Sequence, residues 1–293
     1  MTDTALPPIA QTKPGPFLRF CRWLASDLRA ALALAVLTFL LVVAATAPWL
    51  APYAPTAQDV NNMLAAPSPQ HLLGTDDLGR DIFSRLIYGA PAPVYASVLA
   101  VTVGIAIGLP VGLVAGFFGG WTDDIISRII DTFLSFPAIV LAIAVTGALG
   151  IGLTNGMIAV GIVMFPSLAR IVRARTLVVR QELYVDASRC FGAPAHHILW
   201  KHVLPNALQP VIVQVTLLLA AALLAEASLS FLGLGIQPPN PSWGAMLARA
   251  YQYIEIAPEQ MYAPGLAILF TALAFNALGE SLRVVLDPTM KDR

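Results

Sequence analysis

The residue types and spacings that known catalytic sites require are missing from this sequence. ATP hydrolysis on a phosphate-binding loop needs a glycine-rich turn that ends in Gly-Lys-Ser or Gly-Lys-Thr. The lysines are Lys13, Lys201 and Lys291; none follows a glycine and none precedes Ser or Thr. No Ser-His-Asp arrangement and no H-E-x-x-H motif stands out. We therefore expect no catalytic residue, no metal site and no cofactor on this chain.

The longest polar interruption of the C-terminal half, residues 181–206, predicts two short helices joined by a hinge. Gly192 can take a positive φ without a Cβ clash, so it ends the first helix at about Phe191. Pro194 suits the first turn of the second helix, where its missing N–H costs nothing. Pro205 is expected to end that helix. A helix, a hinge and a helix between two apolar runs indicate a docking element.

Three histidines, His196, His197 and His202, lie close together in the second of these helices. Neutral imidazoles can bind a metal, so a metal site is one interpretation. The other is a polar face toward a partner protein. We favour the polar face, because the cluster lies on the segment that already has the form of a docking element.

Long apolar runs dominate the rest of the chain. The protein is 57% hydrophobic and 12% charged, with a mean hydropathy of +0.74, whereas soluble domains have about 25% charged residues. Apolar runs of this length predict an all-α polytopic membrane protein. The first run could instead be a signal peptide cleaved after Ala47, but it is long and Pro48 follows directly. The six expected spans are 30–50, 94–118, 129–149, 157–171, 208–232 and 263–278.

Positive charges are distributed unevenly around these spans. Fourteen of the 17 Lys and Arg residues lie on the side of the termini and the hinged segment, and Arg80, Arg85 and Arg249 lie on the other. Because basic loops stay in the cytoplasm, we predict that both termini are cytoplasmic. The expected regions are an N-terminal segment 1–29, a membrane domain 30–293, a first outer loop 52–92, a docking loop 172–207, a second outer loop 233–262 and a tail 279–293.

The first outer loop contains a charged stretch that predicts an amphipathic helix at the outer membrane surface. Thr75 would cap it, with acidic residues in the first turn. The pairs Asp76–Arg80 and Asp81–Arg85 have the i,i+4 spacing of surface ion pairs. We expect a solvated, charge-laced helix with no ligand.

Two further patterns predict how the spans pack. The second span has a glycine at every fourth position, at Gly104, Gly108, Gly112 and Gly116. This spacing creates a flat face for a neighbouring helix. After that span, Asp124 and Asp131 flank Arg128 and predict an ion-paired cluster at the membrane surface. Pro166 is expected to kink the fourth span.

The docking loop resembles the ATPase-docking loop of the integral-membrane permease subunits of bacterial ABC importers. That loop has the pattern E-A-A, three residues, G, nine residues, I-x-L-P. The matching positions are Asp186, Ala187, Ser188, Gly192, Leu204 and Pro205. Asp replaces Glu, Ser replaces the second Ala, and His202 takes the Ile position. The loop's ending and the stretch LGTDDLGRDIFSRLIYGA resemble those of permeases in the dipeptide, oligopeptide and nickel branch of this family. Of the two permeases in such a transporter, the resemblance is to the one with the shorter N-terminal segment.

The resemblance implies a type I ABC importer permease fold whose docking loop sits in a cleft of an ATPase subunit. The docking residues that it implies are Tyr184, Asp186, Ala187, Ser188, Gly192, His196, His197, Leu204 and Pro205. It implies a bacterial inner-membrane location, a second homologous permease, an extracytoplasmic binding protein and two ATPase subunits that use ATP and Mg. No nucleic-acid partner is expected. The implied substrates are di- or oligopeptides, with nickel as the alternative.

Polar residues in the apolar runs are candidates for the translocation path, because ionisable groups there are costly. Glu226 lies about 18 residues past the inner start of the fifth run, which is roughly 27 Å along a helix and near the outer surface of a core of about 30 Å. We expect its carboxylate to be solvated, either at the mouth of the path or in a structural role. Asn276 and Glu280 are weaker candidates, and Glu280 is expected to pair with Arg283.

Two other classes of protein compete with this interpretation. A secondary transporter would place polar residues and broken helices at the bilayer midplane, often in paired inverted repeats. The acids instead lie near the membrane surfaces, and no such pairing is evident. A membrane enzyme or insertase would need a convergent polar set, which the sequence does not show.

Overall fold

The computed structural model describes residue 24 and residues 26–286. The N-terminal segment predicted at 1–29 lies mostly outside the described residues, and the tail predicted at 279–293 lies partly outside them. In chain order the helices are α1 (Leu28–Leu50), α2 (Ile82–Gly89), α3 (Pro91–Phe118), α4 (Gly120–Leu134), α5 (Ala138–Leu149), α6 (Leu153–Val179), α7 (Leu183–Cys190), α8 (Ala195–Ile198), α9 (Leu204–Phe231), α10 (Trp243–Gln252) and α11 (Tyr262–Leu286). Short 3₁₀ turns occupy Val60–Asn62 and Pro258–Met261, and a π-helical turn occupies Leu199–Val203.

Among the described residues, five helical stretches are long and apolar enough to cross a membrane. They are Leu28–Leu50, Ile82–Phe118, Leu153–Val179, Pro210–Phe231 and Pro258–Val284. Helices α4 and α5 make a sixth if they are counted as one broken span. The expectation of an all-α polytopic membrane protein is confirmed.

The third span differs from the straight helix predicted at 129–149. Helices α4 and α5 meet at an angle of 94° and are separated by residues 135–137. Pro137 has no N–H for a helical hydrogen bond, and its ring disfavours the helical conformation at Phe136. The apolar run suggested one helix, but the proline ends it. Pro166, in contrast, lies inside the continuous helix α6.

The glycine face of α3 packs tightly against α6, as predicted. A Cβ on Gly108 would lie 2.8 Å from the carbonyl oxygen of Phe165, and one on Gly112 would lie 2.5 Å from that of Ala169. Gly161 on α6 returns the contact, since its Cβ would lie 2.6 Å from the carbonyl oxygen of Ala100. The two backbones can approach this closely only because these side chains are missing.

Helices α1, α9 and α11 pack around a second apolar cluster that includes Leu40, Leu223, Ile268 and Phe275. The carboxylate of Asp27 caps the start of α1 by accepting from the amides of Arg29 and Ala30. A hydrogen bond from Ser281, on α11, and the two amides hold the pKa of Asp27 below its usual value. This contact ties α1 to α11 at one end of the bundle.

The amphipathic helix predicted to start at Thr75 does not form there. Helix α2 begins at Ile82, and Asp81 caps it by accepting from the amide of Ser84. The residues before it fold as a turn in which Gly79 has φ +71 and packs on the backbone of Asp59, where a Cβ would lie 1.8 Å from the carbonyl oxygen. Contact with the preceding loop therefore overrides the local helix signals.

Candidate functional site

The docking loop has the predicted hinge. Helix α7 ends at Cys190, and Gly192 follows with φ +77. The amide of Gly192 donates to the carbonyl oxygen of Arg189 at 2.9 Å, and that of Ala193 donates to Ser188 at 3.1 Å. These bonds close the end of α7 and turn the chain toward α8, which begins at Ala195.

One side of the docking loop is anchored in the core of the protein. Val185 on α7, Ile198 on α8 and Val203 in the π-helical turn are all buried in the main apolar cluster, which also contains residues of α3, α6 and α9. Leu204 packs against the same cluster. A force applied to the loop would therefore be transmitted directly to the membrane helices.

The other side exposes large apolar side chains that the sequence interpretation missed. Phe191 is 91% exposed, Leu183 86% and Trp200 67%. Exposed aromatic and aliphatic side chains of this kind are typical of protein-binding surfaces, in line with the predicted docking role. Large apolar residues inside a polar segment are a sequence signal for such a surface, but in a chain so rich in apolar residues they did not stand out.

Polar contacts tie the predicted docking residues together. Asp186 and Arg189 form an exposed ion pair at 3.2 Å. The hydroxyl of Ser188 donates to the carbonyl oxygen of Tyr184 at 2.8 Å and lies 3.3 Å from Nε2 of His202. The His202 ring packs near the rings of Tyr184 and His197, at centroid distances of 6.0 and 6.1 Å. His196, Ala187 and Pro205 are exposed on this surface.

The prediction that Pro205 ends a helix is wrong. The chain passes from α8 through the π-helical turn into α9, and Pro205 lies in the first turn of α9. A proline is tolerated there because the first amides of a helix have no intrahelical acceptor. The side chain of Asn206 donates to the carbonyl oxygen of His202 at 2.7 Å. The docking loop is thus continuous with the fifth predicted span.

Arginines tether the base of the docking loop to the neighbouring helices. Arg173 forms an ion pair with Asp123 on α4. Arg180 donates to the carbonyl oxygen of Gly116 at 3.0 Å, and the guanidinium of Arg189 lies 5.8 Å from the ring centroid of Phe117. The basic residues that predicted the orientation of the chain thus also fix the loop in place.

Arg128 does not form the predicted cluster with Asp124 and Asp131. Asp131 pairs with Arg170 at 2.5 Å instead, and Arg128 is exposed. Helix α4 lies against α6, so the partners come from α6 rather than from the same turn. The sequence could not show this contact, which joins residues 39 positions apart.

Glu226 is buried, so the expectation of a solvated carboxylate is wrong. The residue is 1% exposed and accepts a hydrogen bond from Ser230 at 2.7 Å. Helix α10 lies over this end of α9, since a Cβ on Gly244 would lie 2.4 Å from the carbonyl oxygen of Ala227. The position of Glu226 along its helix could not reveal that α10 covers it. Near the other end of the bundle, Glu280 lies 4.0 Å from Arg283, both are exposed, and Asn276 is exposed as well.

The two predicted outer loops form one cap held by buried and partly buried polar contacts. Arg80 pairs with Asp76 at 2.6 Å as predicted, but both are buried rather than solvated. Arg85 does not pair with Asp81; it lies 3.6 Å from Asp76 and donates to the carbonyl oxygen of Pro55. Across the loops, Arg249 pairs with Asp77 at 2.8 Å. Trp243 donates to the carbonyl oxygen of Leu86 at 2.9 Å, and Gln260 to that of Thr75 at 3.0 Å.

We expect the Arg249–Asp77 pair to stabilise this cap measurably. Asp77→Ala and Arg249→Ala should each lower the melting temperature of the purified protein, and the double variant should cost less than the sum. Neighbouring partners of this kind couple by about 0.5–3 kcal/mol. Glu255→Ala combined with Arg249→Ala is the control and should be additive, because Glu255 makes no ion pair with Arg249. The contact would be contradicted if the losses in melting temperature were additive for the Asp77–Arg249 double variant as well as for the control.

Apolar helices long enough to span a membrane, a cap of two loops at one end and a loop anchored among the helices define a polytopic membrane protein. Residues 108–292 match the family described as the binding-protein-dependent transport system inner membrane component. Residues 17–67 match the N-terminal transmembrane domain of oligopeptide transport permease C. The chain belongs to this family: it is the non-catalytic, multi-pass permease subunit of an ABC importer, and the ATPase is a partner subunit.

Curated relatives agree with this assignment, and two solved structures share the fold. The chain is 49% identical over 253 residues to the glutathione transport system permease protein GsiD of Shigella flexneri serotype 5b, covering 86% of this chain and 84% of the relative. It is 47% identical to the protein of the same name from Escherichia coli O157:H7 over the same shares. Two inward-facing structures of the MetNI methionine ABC transporter share its fold, each with a TM-score of 0.55. The first is 21% identical and covers 69% of this chain and 96% of its own chain. The second is 24% identical and covers 70% of this chain and 97% of its own chain.

Proposed function

We propose that this chain forms half of a path for small peptides of the glutathione type across the bacterial inner membrane. The observation that carries the proposal is the 49% identity, over 86% of the chain, to a permease named for glutathione transport. The other half of the path comes from a second homologous permease. An extracytoplasmic binding protein delivers the peptide to the outer cap.

Two ATPase subunits supply the energy through the docking loop. Its exposed surface, with Phe191, Leu183 and Trp200, seats in a cleft of one ATPase subunit. Its buried side, with Val185 and Ile198, is packed among the membrane helices. When ATP closes the two motor subunits, the loop moves inward and the helices rock from inward-open to outward-open.

The charge distribution supports the orientation that this mechanism needs. The docking loop and its base carry Arg170, Arg173, Arg175, Arg180 and Arg189, whereas the outer cap pairs its arginines internally. Basic segments remain in the cytoplasm during insertion. Both termini therefore lie in the cytoplasm, on the side of the ATPase subunits.

The test is uptake by the complete transporter. The two permeases, the ATPase subunits and the binding protein are reconstituted in vesicles, and ATP-dependent uptake of labelled glutathione, a dipeptide and Ni²⁺ is measured. We expect peptide uptake that needs both ATP and the binding protein. Uptake of Ni²⁺ but not of peptides would show that nickel, rather than a peptide, is the substrate. Uptake that persists without ATPase subunits would support an ion-coupled transporter instead.

A further inference from the structure

The cap of the two predicted outer loops encloses more positive than negative charge. The charged groups around Arg85 are Arg80, Arg249, Asp76 and Asp77. Within the described chain this cluster therefore has three guanidinium groups and two carboxylates. Arg249 is partly exposed, whereas the side chain of Arg85 is only 4% exposed. A buried charge is costly unless it is paired, so the excess charge at Arg85 calls for a partner.

Both carboxylates of the cluster are paired with the other two arginines. Asp76 accepts from Nε of Arg80 at 2.7 Å, and its second oxygen accepts from the amide of Arg80 at 3.0 Å. Asp77 accepts from Nη1 of Arg249 at 2.8 Å. Nε of Arg85 lies 3.6 Å from Asp76, which is too long for a hydrogen bond. Arg85 is therefore the cation whose charge is least compensated.

Arg85 has an unused donor and lines a small cavity. Its Nη1 donates to the carbonyl oxygen of Pro55, but its buried Nε makes no hydrogen bond within the described chain. The cavity has a volume of about 10 Å³ and is lined by Arg85, Arg249, Gln260, Asp76 and the apolar side chains of Ile82, Met246 and Ala250. The amide group of Gln260 has two N–H donors, and one of them binds the carbonyl oxygen of Thr75. The cavity has room for about one water molecule or one small ion.

The lining of this cavity favours an anion. Its nitrogen atoms belong to guanidinium groups and an amide, which are all donors, and the guanidinium charges would repel a cation. Asp76 also lines the cavity, but both of its oxygens already accept hydrogen bonds. Asp81, one helical turn before Arg85, contacts His71 and Ser84 instead. A water molecule could accept hydrogen bonds here, but it would leave the excess charge uncompensated.

We propose that the cap holds one small inorganic anion, of the size of chloride, between Arg85 of the first predicted outer loop and Arg249 and Gln260 of the second. The anion balances the excess charge and accepts hydrogen bonds from both loops. It therefore joins the two loops, as the Arg249–Asp77 pair does. A cavity of this volume excludes phosphate and whole peptides. The site does not depend on which solute the transporter carries.

The test is the melting temperature of the complete detergent-solubilised transporter as chloride replaces gluconate, an anion too large for the cavity. The ionic strength is held constant, so that the screening of the Arg249–Asp77 pair does not change. A ligand that binds only the folded state stabilises it with the logarithm of its concentration. We expect the melting temperature to rise by at least about 2 °C as chloride increases from about 3 to 300 mM.

Arg85→Gln removes the excess charge and should make the melting temperature independent of chloride. Arg128→Gln is the matched control, because it removes one positive charge from an exposed position and should keep the chloride effect. A second measurement on the unaltered transporter covers the case in which Arg85→Gln does not assemble. Bromide replaces chloride in crystals of the complex, and its anomalous scattering should give a peak in the cavity within hydrogen-bonding distance of Arg85.

Several outcomes would overturn the proposal. Equal melting temperatures in chloride and gluconate would show that no anion stabilises the cap, and a missing bromide peak would show that only water occupies the cavity. A chloride effect that persists in Arg85→Gln would place the anion elsewhere. Stabilisation by glutathione but not by chloride, lost in Arg85→Gln, would replace the inorganic anion with a peptide carboxylate. Peptide uptake is not measured here, so a failure of the proposed substrate class would leave the anion site standing.

Discussion

Gly112→Ala should sharply reduce the amount of folded permease in the membrane, whereas Gly104→Ala should leave it close to normal. Both glycines lie on the same face of α3, against α6. A Cβ on Gly112 would lie 2.5 Å from the carbonyl oxygen of Ala169 and 2.7 Å from Cβ of Val172. On Gly104 the nearest atom would be 3.5 Å away, which is an ordinary contact. Overpacking of a tight core costs about 1–3 kcal/mol.

The measurement is the membrane level of each variant and the temperature at which the detergent-solubilised complex falls apart. Gly112→Ala cannot relieve its clash by rotating a side chain at Ala169, because the obstacle there is backbone. Each variant adds one methyl group to the same face of the same helix, so lipid partitioning and helix propensity are matched. Equal levels and equal melting temperatures for both would contradict the close approach of α3 and α6.

Gly192→Val and Asp186→Lys should abolish uptake while the permease still inserts into the membrane. Gly192 has φ +77, where an L-residue with a side chain is strained by about 1–2 kcal/mol. No atom lies within 4 Å of the position that a Cβ would take there, so the substitution changes the angle between α7 and α8 rather than the core. Asp186 is exposed, and its reversal places a positive charge beside Arg189. Under the proposed docking role, both changes alter the surface that binds the ATPase subunit.

Gly233→Val is the matched control for the hinge. Gly233 also follows a helix, with φ +79 and no atom within 4 Å of a Cβ, but it lies at the end of α9 far from the docking loop. It should lose a similar amount of stability and still bind the ATPase subunits. The readouts are co-purification of those subunits and uptake per permease in the membrane. Full transport by both docking-loop variants at normal levels would refute the coupling role.

Several features followed from the sequence because their causes are local. The four-residue spacing of glycines predicted the flat face of α3, and the Cβ distances at Gly108 and Gly112 confirm it. Gly192 predicted the hinge, because only a residue without a side chain takes that backbone conformation without strain. The prediction of one unbroken helix for the third span was wrong although Pro137 lies inside the apolar run. The hydropathy of the run was given more importance than the proline.

Other features depended on contacts between distant segments. Gly79 turns the chain where a helix was expected because it packs on Asp59. Glu226 is buried because α10, from a later loop, covers the end of α9. Asp131 pairs with Arg170 rather than with Arg128 because α6 brings that arginine to it. None of these partners is close in sequence to the residue that it affects.

By itself the sequence predicted the long apolar helices, the glycine face of α3 and the hinge at Gly192, which the structure contains. The orientation that it predicts from the basic loops stays a prediction. Hydropathy, charge and backbone freedom are properties of short stretches, so they can be read without knowing the fold. The tertiary structure alone decided how deeply Glu226 is buried and which charges far apart in the sequence meet. Those outcomes depend on approaches such as Asp77 to Arg249, 172 residues apart, and chain order does not specify them.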